Sequence, residues 1–144
     1  MFMFNYESPG CNNNNGPTHQ TVFGATLRAN YAATDFALLQ LSSKPHPTYN
    51  TYYLGWTAQN VTPQSSTIIH YPRGDTKKIS FYYNSAVSAS FLGSPPNTYW
   101  RIELTDGAAE PVSSGAHQLN QNKWVVGQIS GGPVPPHCSK FKNC

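Results

Sequence analysis

The residues of this chain best suited to chemistry lie in Glu110-Pro111-Val112-Ser113-Ser114-Gly115-Ala116. A serine becomes a useful nucleophile when a tight turn aims its hydroxyl and the neighbouring backbone N–H groups at one substrate atom. Glycine and small residues permit such a turn. On its own Ser-Ser-Gly is also a common loop sequence. A second candidate is Thr34-Asp35-Phe36-Ala37-Leu38-Leu39, an acid placed at the mouth of an apolar strand. Such a carboxylate needs a partner, and orienting a histidine is one way to have one. A lone Asp here more often caps a turn. The third is Gly127-Gln128-Ile129-Ser130-Gly131-Gly132, a strand running into glycines. An edge of that kind lets a second backbone approach closely, as when a peptide adds itself to a sheet. Read otherwise, it is a bulge or a strand end.

The order of the three strengthens each. An Asp, a distant Ser in a glycine-containing turn, then an apolar strand ending in Ser-Gly-Gly is the second half of the chymotrypsin order His–Asp–Ser. None of the five histidines, at 19, 46, 70, 117 and 137, stands where a base should. A base must reach the serine hydroxyl, and His117 would have to fold back on its own turn to do so. The histidines show no metal-ligand spacing, so neither metal nor other cofactor is expected.

Short strands joined by turns must hold these residues. Nine tyrosines, seven phenylalanines, twelve prolines and eleven glycines in 144 residues favour that architecture. Expected strands are Met1–Tyr6 (its end), Val22–Ala33, Asp35–Leu41, Tyr52–Trp56, Tyr99–Leu104 and Trp124–Ile129. Thr67–Tyr71 and Lys78–Tyr83 read as a hairpin across Pro72-Arg73-Gly74-Asp75. Phe36, Leu38 and Leu39 suggest that Asp35–Leu41 is buried on both faces. Residues 8–20 read as a loop. With no amphipathic helix and no repeat, an all-β barrel or sandwich is expected.

Composition excludes several classes. Only 10% of residues are charged, the net charge is +3, and the basic residues are scattered. A nucleic-acid groove needs a basic stripe. No apolar run is long enough to span a membrane as a helix, and Met1-Phe2-Met3-Phe4 has no signal-peptide character. Low charge with many Asn, Ser, Thr and Tyr leans towards a secreted protein. Three cysteines leave at least one without a partner inside the chain. Cys138 and Cys144 are close enough in sequence to pair, which would leave Cys11 alone.

The chain resembles the bacterial lysyl endopeptidases, a branch of the trypsin-like serine peptidases. The resemblance runs through Phe4-Asn5-Tyr6 with Cys11, Ala33 to Leu39, Gly55-Trp56, Ile69-His70-Tyr71-Pro72 with Lys78-Ile79-Ser80, Glu110-Pro111-x-Ser-Ser-Gly and Val126-Gly127-Gln128-x-Ser-Gly-Gly-Pro. It implies a truncated chymotrypsin-like double β-barrel. Residues 1–45 would be the remnant of the N-terminal barrel carrying the triad aspartate, and 46–144 the C-terminal barrel carrying the nucleophile loop. It further implies Asp35 and Ser114 as catalytic residues and Val112, Ser113 and Ser114 as the oxyanion turn. Ser130, Gly131 and Gly132 become the substrate-binding strand, and Phe91 falls near an aromatic beside the site. His70 matches a segment without a catalytic role. Protein or peptide substrates and a secreted, bacterial setting follow from the same resemblance.

The departures are specific. The family's base lies in a Thr-Ala-x-His-Cys segment that would precede Met1, and the usual partners of Cys11 and Cys138 would lie there too. Val112 stands where the family has Gly, and Ala116-His117 replaces a small residue and Pro. The aspartate that recognises a lysine side chain would fall beyond Cys144, so lysine specificity is not implied. The expectation is a peptidase portion inactive by itself, with a missing N-terminal segment as its partner. A pseudopeptidase that binds proteins or peptides is the alternative.

Overall fold

The computed structural model describes residues 1–12 and 15–132. The fold is all-β, with helical character limited to three 3₁₀ turns among the described residues. Strands β1 (Phe2–Met3) and β2 (Thr21–Val22) pair with each other across the expected loop. Strand β3 (Ala25–Tyr31) and strand β4 (Phe36–Leu41) form an antiparallel ribbon closed by the turn Ala32–Thr34. Next come β5 (Ser66–His70), β6 (Lys78–Tyr82), β7 (Val87–Ala89), β8 (Tyr99–Arg101), β9 (His117–Leu119) and β10 (Val125–Gln128).

The central sheet has four strands in the order β10-β9-β5-β6, all antiparallel. Its heart is the expected hairpin: β5 and β6 pair from Ser66–Tyr82 to His70–Lys78 around the turn Pro72–Gly74. This arrangement is consistent with the C-terminal barrel of the chymotrypsin fold, although the described strands do not close into a ring. Strands β7 and β8 make a separate two-stranded piece.

The core collects on β5 and β9. Val22, Ile68, Ala86 and Leu119 are its buried hydrophobic residues. Polar side chains outnumber them: Ser66, Thr67, His70, Thr76, Ser80, Ser113, Gln118 and Asn120 are all buried. A buried polar group is tolerated when it is hydrogen-bonded. Among the described residues every buried side-chain nitrogen and oxygen has a partner.

Two expectations are corrected. The segment Tyr52–Trp56 is not a strand. Only Trp56 makes an isolated bridge, to Val125, and Tyr52 and Tyr53 face solvent. Strand β4 exists where expected but is not buried on either face, since Phe36, Leu38 and Leu39 are all exposed. An apolar run becomes a buried strand only when other layers cover it, and among the described residues β3–β4 pairs with no third strand. Strands β7 and β9 lie outside the expected strands; each has only three residues, too short for its pattern to stand out from the surrounding loops. No helix among the described residues is long and apolar enough to cross a membrane.

Candidate active site

The candidate nucleophile loop, Glu110 to Ala116, leads into β9 and is held from three sides. Arg73 grips it first: its backbone N–H donates to the Pro111 carbonyl at 2.7 Å, and its Nε pairs with Glu110 Oε1 at 2.9 Å. Internal bonds then close the turn, from Ser113 N–H to Glu110 O at 3.1 Å and from Ala116 N–H to Ser113 O at 3.2 Å. Finally the loop is sewn to the end of β10. Gly115 N–H donates to Ile129 O at 2.8 Å, and Ile129 N–H returns a bond to Ala116 O at 2.9 Å.

Ile129 is followed by Ser130, and Ser130 reaches Asp35. Its hydroxyl donates to Asp35 Oδ2 at 2.8 Å. Gln128 adds a second link, from its side-chain amide to the Asp35 carbonyl. The three segments singled out in the sequence therefore meet at one place. Asp35 ends the turn Ala32–Thr34 in a left-handed conformation, φ 52° and ψ 37°. Aspartate accepts that conformation more readily than most residues because its short side chain bonds locally. Its side chain is exposed, so Ser130 meets a carboxylate that water also reaches.

Ser114 is exposed, and its hydroxyl has no hydrogen-bond partner among the described residues. His19, His46 and His117 are exposed as well, and His46 bonds Thr48. His137, Cys138 and Cys144 lie outside the described residues. Cys11 is exposed and forms no disulfide among the described residues. Val112 holds φ 75° with its side chain 67% exposed. For a β-branched residue a positive φ is a strained conformation. Gly131 lies against Phe91: a Cβ there would come within 3.2 Å of the ring. Phe91 is thus beside the Ser-Gly-Gly strand end.

Sequence reasoning gave His70 no role, yet its imidazole lies beneath the loop. Nδ1 is 2.8 Å from Ser113 Oγ and Nε2 is 3.0 Å from Ser80 Oγ. A Ser–His pair at this distance invites a catalytic reading, which burial rules out. His70 is 1% exposed and Ser113 3%, so no peptide carbonyl reaches either. Burial pushes the His70 pKa below the ordinary histidine value, and the nearby Glu110 carboxylate works in the opposite direction. The ring is therefore neutral at pH 7. The only sequence signal for it was its place in Thr67–Tyr71: Ile68 and His70 share one face of β5, and Ile68 is core.

Residues 1–143 match the family described as lysyl endopeptidase, C-terminal domain. A lysyl endopeptidase of Pseudomonas aeruginosa is 33% identical over 115 residues. That stretch covers 76% of this chain and 24% of the relative, so the chain spans well under half of that protein.

Proposed function

The chain belongs to the lysyl endopeptidase C-terminal domain family, and from that premise we propose that it is the aspartate- and serine-bearing portion of a secreted trypsin-like serine endopeptidase. Ser114 is the nucleophile position, and Asp35 is the carboxylate that would orient the base. Ser130, Gly131 and Gly132 form the edge against which a peptide substrate lies. In the reaction Ser114 Oγ attacks the scissile carbonyl carbon while a histidine takes its proton. The acyl-enzyme forms as the amine leaves with that proton, and water then releases the acid. The base is not among the described residues, and the segment supplying it is the natural partner of this chain. By the same reading residues 1–45 belong with the N-terminal barrel and 46–144 with the C-terminal one. No cofactor takes part.

The observation that supports this reading is the run of contacts from Gly115 to Ile129 and from Ser130 to Asp35, which links the loop bearing Ser114 to the strand end and the acid. Without the base, only substrate binding and the oxyanion turn would assist, on the order of 10³–10⁴ over water. The 144-residue chain should turn over a lysyl or arginyl amide no faster than its Ser114→Ala variant. A serine-reactive phosphonate should leave Ser114 unmodified. Labelling at Ser114, or turnover above that variant, would sink the claim of inactivity.

A second reading, a pseudopeptidase that binds peptides, draws on Val112. A valine strained at φ 75° in the oxyanion turn is a change that absence of the base does not account for. Peptide binding by the chain, unaffected by Ser114→Ala, would favour it.

A further inference from the structure

His70, Ser113 and Ser80 form a buried line across three elements: the end of β5, the nucleophile loop and β6. The neighbouring donors favour one direction. Glu110 N–H points at Ser113 Oγ, 3.3 Å away, so that oxygen already accepts a bond. Its own proton is free to go to His70 Nδ1 when that nitrogen is unprotonated. In that tautomer Nε2 carries the ring proton and donates it to Ser80 Oγ. Ser80 in turn sits where it does because residue 107 is glycine. A Cβ on Gly107 would stand 2.3 Å from Ser80 Oγ, and Gly107 holds φ 77°.

We propose that His70 is the positioning residue of the nucleophile turn: as a neutral imidazole protonated on Nε2, it binds the Ser113 hydroxyl, anchors to Ser80, and so fixes the residue that precedes Ser114. The consequence for catalysis rests on Ser114 being the nucleophile position, but the anchoring does not. Were Nδ1 to gain a proton, Ser113 Oγ would receive two donors and its own hydrogen would lose its acceptor in a buried site. Protonating His70 therefore works against the turn.

The charged groups around the ring are few. From the loop comes Glu110, whose carboxylate Arg73 of the Pro72–Gly74 turn holds. From β6 comes Lys78, in register with His70, with its ammonium 3.6 Å from Asp75 Oδ2. From β9 comes the neutral Gln118, which bonds Ser66.

Two measurements on the full 144-residue chain test the assignment. The first is the ring itself, read by long-range proton–nitrogen NMR on histidine-labelled protein. His70 should show a pyrrole-type Nε2 and a pyridine-type Nδ1. That pattern should persist as the pH drops below the ordinary histidine value. A proton on Nδ1, or titration of His70 at or above that value, would overturn the proposal.

The second is amide exchange at Ala116, whose N–H closes the turn onto Ser113. His70→Phe keeps a ring but neither bond. His70→Asn keeps a polar group near the Nδ1 position. In His70→Phe, exchange at Ala116 should rise about tenfold relative to Val125, and in His70→Asn it should return most of the way. Equal acceleration at both amides, or no change at Ala116, counts against a positioning role. If His70→Phe fails to fold, the comparison of His70→Asn with the parent chain decides: loss of Ala116 protection there overturns the proposal. Phosphonate labelling of Ser114 reads the proposed function separately, so either reading can fail while the other stands.

Discussion

Val112 is the residue where sequence and backbone disagree. A positive φ of 75° costs a β-branched side chain on the order of 1–3 kcal/mol. Replacing it by glycine removes that strain but enlarges the entropy of the unfolded chain, by about 0.5–1 kcal/mol. The balance predicts that Val112→Gly raises stability by about 0.5–1 kcal/mol. The check is a higher urea midpoint at unchanged m. A lower midpoint would mean that the valine side chain makes a contact that offsets its strain.

His70 yields a prediction of its own. Burial lowers its pKa, so the unfolded chain binds a proton before the folded chain does. Stability from this residue is complete above about pH 6.5 and drains away as the pH falls from there towards the folded-state value. The urea midpoint should therefore drop on acidification from pH 7.5 to pH 5, and the drop should shrink in His70→Asn. A midpoint that is flat or rises over that range would contradict the assignment of a buried neutral ring.

Among the elements, the ribbon β3–β4 and the hairpin β5–β6 make a natural contrast. Both are antiparallel pairs with apolar residues, yet Ile68 is 2% exposed and Leu38 is 52% exposed. Ile68→Ala should cost about 2–5 kcal/mol, the range for a buried aliphatic residue. Leu38→Ala should cost about 0.5 kcal/mol or less, as at an open surface. Comparable losses at the two positions would show that the ribbon is covered in solution.

The same contrast explains what could be read from sequence. The β5–β6 hairpin was legible because its turn residues and β-branched runs are local signals. Strand β4 was legible as a strand, but its burial was not, since burial depends on what lies opposite. Tyr52–Trp56 has strand-like side chains and finds no ladder to join. Asp35, Ser114 and Ser130 stood out through order and resemblance, and the structure links the segments that carry them. His70 was not, because nothing local distinguishes a histidine that anchors a distant loop from one that merely packs.

At the scale of the whole molecule, Asp35 joins the ribbon to the body through Ser130 and Gln128. A hydrogen bond to a charged group contributes about 1.5–3 kcal/mol when shielded, and less at an exposed carboxylate. Ser130→Ala should therefore change global stability by about 1 kcal/mol or less. It should nonetheless raise the amide exchange of Asp35 and the turn before it, leaving β5 and β6 untouched. Equal changes in the ribbon and the central sheet would indicate that the two unfold as one unit.

That link also has a place in time. Asp35 and Ser130 are 95 residues apart, and a contact of such separation forms only after the chain between has been made. At ordinary rates of synthesis the ribbon would leave the ribosome roughly 5–20 s before the strand that secures it. Through that interval Leu27, Phe36, Leu38 and Leu39 have no tether to the rest of the fold. The nascent chain is thus most exposed to mispairing early, long before its serine has been made.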